Sequence, residues 1–130
     1  MTLNYQDIEK AVNSEEDAGG FAKLMQDFRQ LGVQKYDYLV QDGLYRYFDA
    51  DSHVDLNMNG VPKPVKAVGD ATKIKTAVKQ AQAGQFDFEK FCELAGEAGV
   101  LKWTSDLVSK EVTYYDSNDV VLLVEPIPGL

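Results

Sequence analysis

The sequence repeats itself at a spacing of 67 residues, and this internal similarity constrains the fold more than any other feature. The matched segments are Phe21 with Phe88, Lys23 with Lys90, Gly32-Val33 with Gly99-Val100, Lys35 with Lys102, Tyr36 with Trp103, and Tyr47-Phe48-Asp49 with Tyr114-Tyr115-Asp116. The matches combine apolar, aromatic, glycine and charged positions. They predict two copies of one supersecondary unit, related by a pseudo-two-fold axis.

Each half predicts the order helix, helix, strand, strand, strand. In the first half the predicted elements are a helix after Thr2, a helix over residues 20–31, and strands over 33–40, 44–49 and 53–58. In the second half they are helices over 70–82 and 87–98, and strands over 100–108, 111–116 and 120–125. The helices follow from apolar spacing, and Gly32 and Gly99 are typical left-handed caps. Asp42-Gly43 predicts a hairpin turn.

These elements predict an α+β fold in which an antiparallel sheet packs with about four helices. We expect one domain over residues 1–130. It comprises a pseudo-repeat over about 3–58, a connector over about 59–69 and a second pseudo-repeat over about 70–126. A chain of 130 residues can bury a core of ordinary size without metals or disulfides.

Composition excludes several classes of function. The chain has 13 basic and 21 acidic residues, a formal charge of −8, which disfavours binding to nucleic acid phosphates. One Cys and one His exclude a disulfide framework and a cysteine or histidine metal cluster. No cofactor and no metal site are therefore predicted.

The start of the chain lacks the basic and apolar segments of a signal peptide. The aliphatic run over residues 120–124 is too short to cross a membrane. We expect a cytoplasmic protein that does not act at a membrane.

A set of residues distributed along both halves resembles a known bacterial and prophage family. The second half carries Phe91-Cys92, Ala95, Gly99-Val100, Lys102-Trp103, Asp106, Tyr114-Tyr115-Asp116, Glu125 and Ile127-Pro128. The first half carries Gly32-Val33, Tyr36, Tyr38, Val40, Asp42-Gly43 and Tyr47-Phe48. The pattern is similar to domain-of-unknown-function family 1398, the YbcV/YdfO-like proteins sometimes labelled phage envelope protein. The resemblance implies a small α+β protein with no established activity, so the catalytic residues are unknown.

Two isolated residues could carry chemistry. Cys92 lies inside a predicted helix beside Phe91, which favours a buried apolar thiol over a catalytic thiolate. His53 lies among Asp49, Asp51 and Asp55, a run that could bind calcium or magnesium. A solvated acidic turn is the favoured interpretation of that run.

The two matched aromatic–acid tripeptides form the candidate ligand site. If the repeats face each other across a cleft, Tyr47, Asp49, Tyr114 and Asp116 could bind a ligand together with Trp103. The simpler alternative is that the tyrosines pack in strands and each aspartate begins a turn.

The absence of a specific catalytic motif favours a noncatalytic domain that binds a protein partner or a second copy of itself. The alternative is a small-molecule binder or enzyme with its site in the cleft between the two repeats. An acidic mimic of DNA is compatible with the charge but has no positive support in the sequence.

Overall fold

The computed structural model describes residues 21–50, 52–57 and 60–127, and their side chains from residue 26 onward. The helices are α1 (Phe21–Gln30), α2 (Ala71–Gln82) and α3 (Phe88–Glu97). The strands are β1 (Lys35–Leu39), β2 (Leu44–Phe48), β3 (His53–Leu56), β4 (Val100–Asp106), β5 (Glu111–Asp116) and β6 (Val121–Pro126). The helix predicted after Thr2 lies outside the described residues.

The strands form one antiparallel sheet of six strands in the order β3-β2-β1-β4-β5-β6. Phe28 of α1 packs its ring edge against Tyr36 and Tyr47, and Phe91 of α3 packs against Trp103. These aromatic side chains share one face of the sheet, so α1 and α3 cover the same side. The predicted α+β class with an antiparallel sheet is confirmed.

Local signals place the helix ends close to their predicted positions. The side chains of Asp70 and Asp87 accept hydrogen bonds from the backbone N–H groups of Lys73 and Lys90, which caps α2 and α3. Gly99 follows α3 with a φ of +75°, the left-handed conformation expected of a glycine cap.

The last strand extends one residue further than predicted, because it includes Pro126. Ile127 donates its N–H to the carbonyl of Lys110, so the backbone N–H groups of residues 123, 125 and 127 point toward β5. The backbone nitrogen of Pro126 therefore points away from β5, and its missing N–H removes no hydrogen bond from the sheet.

Residues 67 apart hold corresponding positions in the sheet. Asp37 and Thr104 pair directly across the two central strands, β1 and β4. In the two hairpins, Tyr36 pairs with Tyr47 just as Trp103 pairs with Tyr114. The pairing of β1 with β4 also brings residues from the two halves of the chain into one core.

The core lies between the sheet and its helices and is unusually aromatic. Its buried rings belong to Phe28, Tyr36, Tyr38, Tyr45, Tyr47, Phe91, Trp103 and Tyr114. Many of these rings meet edge to face, an arrangement that adds to the free energy gained from burial. This face of the sheet is accordingly committed to holding the helices.

Candidate functional site

The three aromatic residues of the predicted ligand site lie in the core. Tyr47 is fully buried against Phe28, and Trp103 and Tyr114 are neighbours with ring centroids 5.9 Å apart. Burial raises the pKa of the Tyr114 hydroxyl well above its ordinary value. The structure thus brings Trp103 and Tyr114 together, whereas Tyr47 lies on β2, beyond the two central strands.

The two aspartates of the predicted site lie in turns at opposite ends of the sheet. Asp49 accepts hydrogen bonds from the backbone N–H and the hydroxyl of Ser52, between β2 and β3. Asp116 accepts from the N–H groups of Asn118 and Val120, between β5 and β6. From the register and strand spacing, these two residues are separated by roughly 25 Å. The arrangement does not bring them together as an acid–base pair.

Cys92 is fully buried on α3. Its Sγ lies 3.4 Å from the Tyr38 hydroxyl oxygen, which also accepts a hydrogen bond from the N–H of Val61. Burial raises the pKa of the Cys92 thiol to about 11, so the thiol is protonated at neutral pH. Burial likewise raises the pKa of Tyr38. These groups tie α3 and the connector to the sheet.

The acidic run around His53 is divided between different roles. His53 is exposed on β3, with its ring centroid 5.8 Å from that of Phe48. Asp55 forms an ion pair with Arg46, and Asp51 lies outside the described residues. Among the described residues, no group of three or more acidic, His or Cys side chains could hold a metal ion.

The opposite side of the sheet, here called the open face, carries the side chains that alternate with the core residues. Asp37 lies between buried Tyr36 and Tyr38, so it points away from the helices, and its cross-strand partners share its face. In the described part of the chain, the aromatic side chains of the helices contact rings on the other face of the sheet and none on this one. The open face is therefore the candidate site.

The strand register arranges the open face in three rows that run across the sheet. The middle row is Asp55, Arg46, Asp37, Thr104, Thr113 and Val124. The acidic row is His53, Phe48, Lys35, Asp106, Glu111 and Pro126. The leucine row is Leu44, Leu39, Lys102, Tyr115 and Val121.

Hydrogen bonds order the middle row. Arg46 holds Asp55 through two bonds, with Nε 2.8 Å from Oδ1 and Nη2 3.1 Å from Oδ2. This contact lowers the pKa of Asp55 and raises that of Arg46. The hydroxyl of Thr104 donates to Asp37 Oδ1 over 2.7 Å. Both pairs fix polar side chains in defined positions on an accessible surface.

Two lysine–aromatic pairs flank the middle row. Lys35 Nζ lies 4.9 Å from the centre of the Phe48 ring, and Lys102 Nζ lies 5.2 Å from that of Tyr115. Each member of one pair is 67 residues from its counterpart in the other. The open face thus presents two similar cation–π contacts on either side of the Asp37–Thr104 pair.

Basic and acidic side chains are nearly balanced on the open face. Its three rows hold three basic and four acidic side chains, whereas the chain has 13 basic and 21 acidic residues. Most of the excess negative charge therefore lies elsewhere. At the β6 edge the face becomes apolar, since Val121 and Val124 are each about half exposed.

The scan against protein families matches residues 9–126 to the family described as "Protein of unknown function (DUF1398)". The match spans both halves of the chain and all of the described strands. The chain belongs to DUF1398.

Curated relatives of this DUF1398 chain are uncharacterized. It is 30% identical over 129 residues to the uncharacterized protein Rv2012 of Mycobacterium tuberculosis strain H37Rv, covering 92% of this chain and 77% of the relative. The uncharacterized protein Mb2035 of Mycobacterium bovis matches with the same identity and coverage. The family resemblance inferred from sequence is confirmed, whereas its phage label remains a prediction.

Sequence reasoning missed the open face as a candidate site. Its central residues Asp37, Arg46 and Thr104 carry no motif and became neighbours only through the pairing of separate strands. One signal was available, because Lys35 and Lys102 were matched in the repeat. Regarding membranes, the helices in the described part of the chain are all too short or too polar to span a bilayer.

Proposed function

We propose that this DUF1398 protein is a noncatalytic interaction domain that binds a protein partner through the open face of its sheet. The observation that carries the proposal is the ordered middle row, in which Arg46–Asp55 and Asp37–Thr104 are already held in place. Preordered polar groups lose little side-chain entropy on binding, which favours recognition. The lysine–aromatic pairs add apolar area and positive charge beside them.

The surroundings of the reactive groups support a noncatalytic role. The Cys92 thiol is buried with a raised pKa, and Asp49 and Asp116 are engaged in turn hydrogen bonds. A nucleophile or general acid needs access to a substrate and a pKa suited to its task. These three side chains instead stabilise the fold. A buried free thiol also fits the reducing cytoplasm, the location that we propose.

We further infer that the two halves arose by duplication of one unit. The inference is supported by the pairing of Asp37 with Thr104, residues 67 apart, at the centre of the sheet. When two equivalent strands pair antiparallel about a two-fold axis, the two residues that pair across the axis occupy equivalent positions in their strands. Duplication would explain why the open face carries two similar lysine–aromatic pairs.

Partner capture with matched variants tests the interaction role. The wild-type chain, the open-face variant Lys35→Ala/Lys102→Ala and the helix variant Lys75→Ala/Lys79→Ala are used as bait in extracts of the source cell. We expect a protein that the wild type and the helix variant retain and the open-face variant loses. Titration of the purified partner should then give at least a tenfold weaker Kd for the open-face variant. Equal binding by all three chains would contradict the proposal.

One observation favours the alternative of a small-molecule site. The Ser105 hydroxyl is buried and has no hydrogen-bond partner among the described residues. A polar ligand reaching the region of Trp103 and Tyr114 could satisfy it. A melting-temperature screen against metabolites tests this alternative, since a ligand at a hundred times its Kd adds about 2.7 kcal/mol. A dose-dependent rise that Ser105→Ala abolishes would favour a binder or enzyme over an interaction domain.

A further inference from the structure

We propose that a second copy of this chain binds the open face, so that two sheets stack face to face about a two-fold axis parallel to the central strands. The inference rests on the proposed use of the open face and names its partner. Sheets that stack in this way lie about 10 Å apart with their side chains in contact.

The register determines which side chains meet in this arrangement. A two-fold axis that runs between β1 and β4 places β1 opposite β4 of the second copy, and β2 opposite β5. Each row then lies opposite the same row of the second copy, in which the strands follow in the reverse order. In the acidic row, Lys35 faces Asp106 of the second copy, and the reciprocal contact occurs once more by symmetry.

The other two rows contain compatible contacts as well as two polar–apolar ones, in which Leu39 faces Lys102 and Asp55 faces Val124 of the second copy. In the leucine row, Leu44 faces Tyr115 of the second copy, which buries apolar area on both sides. In the middle row, Asp37 faces Thr104 and Arg46 faces Thr113 of the second copy. None of these rows opposes charges of the same sign.

A two-fold axis at right angles to the strands gives a less favourable arrangement. It would place each strand opposite the same strand of the second copy. In the middle row, Arg46 would then face Arg46 and Asp37 would face Asp37 of the second copy. Like charges held opposite each other destabilise an interface. Electrostatics therefore selects the axis parallel to the strands.

The charge of the open face permits the same arrangement. Two copies of a chain with a net charge of −8 repel each other at long range. The open face holds three basic and four acidic side chains, so its own net charge of −1 adds little to this repulsion and opposite charges can pair across the interface.

The size of the face sets the expected strength. Six strands about 4.8 Å apart and about five residues long present roughly 450 Å² per copy, which is about 900 Å² for a dimer. This is below the roughly 1,200 Å² at which stable specific complexes begin and falls in the range of weak, transient ones. The dimer should therefore be weak and reversible, and it is sought at protein concentrations from about 5 to 500 μM.

Sedimentation equilibrium of the full chain tests the proposal. The wild type should dimerise within this range, and Lys35→Glu, which faces Asp106 of the second copy, should raise the dimer Kd at least tenfold. The double variant Lys35→Glu/Asp106→Lys should restore the Kd to within about threefold. Lys75→Glu on α2 makes the same charge change away from the face and should leave the Kd unchanged.

A second variant is included because Asp106 also accepts hydrogen bonds from the N–H groups of Val108 and Ser109. Asp106→Lys removes these bonds, so the double variant could fail to fold. Leu44→Asp places a carboxylate opposite Tyr115 of the second copy and should abolish the dimer while the melting temperature stays near that of the wild type. A wild type that is monomeric at 500 μM overturns the dimer, as does a dimer indifferent to Lys35→Glu and Leu44→Asp. Neither result bears on the capture of another protein, which tests the interaction role separately.

Discussion

Gly32 and Gly99 follow α1 and α3 at corresponding positions in the two halves, yet their surroundings differ. Both are left-handed, with φ values of +93° and +75°. Among the described residues, a Cβ at Gly32 would meet nothing within 4 Å, whereas one at Gly99 would run into the backbone of Val68 and Gly69. The connector thus packs closely against the glycine that ends α3.

The open face shows the same divergence in its side chains. Leu39 and Leu44 of the first half correspond to Asp106 and Glu111 of the second, each pair being 67 residues apart. Other positions of the same two rows are alike, since the acidic row and the leucine row each contain one lysine–aromatic contact. Residues 67 apart therefore form an apolar surface at one end of the open face and an acidic surface at the other.

The largest effect should follow loss of a core ring from the second half. Trp103→Ala removes contacts with Tyr38, Phe91 and Tyr114, and we expect it to lower the free energy of unfolding by about 3–5 kcal/mol. Urea unfolding followed by circular dichroism measures the change. Lys102→Ala, the adjacent residue on the other face, should cost less than about 1 kcal/mol. Similar losses for both variants would contradict the assignment of the two faces.

The two glycine caps provide a sharper test of the difference between the halves. Gly32→Ala introduces a side chain at positive φ without a clash, which should cost about 1 kcal/mol. Gly99→Ala adds a collision with the Val68 carbonyl, and we expect a loss of about 2–4 kcal/mol. The same unfolding assay compares the two variants. Equal losses would show that the connector does not confine Gly99.

Local signals were sufficient to predict most of the fold. The helices that Asp70 and Asp87 cap begin close to where they were predicted, and the Asp42-Gly43 turn predicted the hairpin of β1 and β2. These features depend on neighbours close in sequence, where residue type alone limits the backbone.

The candidate site could not be predicted in the same way. Asp37 meets Thr104 only because β1 pairs with β4 in one register, and Arg46 meets Asp55 through a second pairing. A change of register by one residue would move each side chain to the other face. The repeat indicated equivalent residues, but it did not indicate that the two central strands would be adjacent.

A smaller effect concerns pH and the buried thiol. Burial raises the pKa of Cys92 from its ordinary 9.0 to about 11, so in the native state the thiol keeps its proton where the unfolded thiol ionises. The resulting stability is fully present below pH 9 and is lost as the pH rises through 11. Cys92 should thus account for a loss of about 1 kcal/mol at pH 10.

Unfolding measured at pH 7, 8, 9 and 10 tests this expectation, with Cys92→Ala as the comparison. The variant loses packing at every pH, but its free energy of unfolding should fall less steeply above pH 9 than that of the wild type. The raised pKa of Tyr114 acts on both chains alike, whereas Cys92→Ala also removes the contact through which Cys92 helps to raise the pKa of Tyr38. Parallel curves for the two proteins would contradict the role of the thiol.

The smallest effect should follow loss of the ion pair on the open face. Arg46 and Asp55 are each more than one third exposed, and solvent screens such pairs, so Arg46→Ala should cost less than about 1 kcal/mol. Asp55→Ala should have a similar effect, and the double variant should cost about as much as either single one. Unfolding at 0.05 and 0.5 M NaCl completes the test, since salt should reduce the difference between wild type and variants. If Arg46→Ala destabilises as strongly as Trp103→Ala, the middle row belongs to the folding core, and its order is needed for the structure itself rather than kept for a partner.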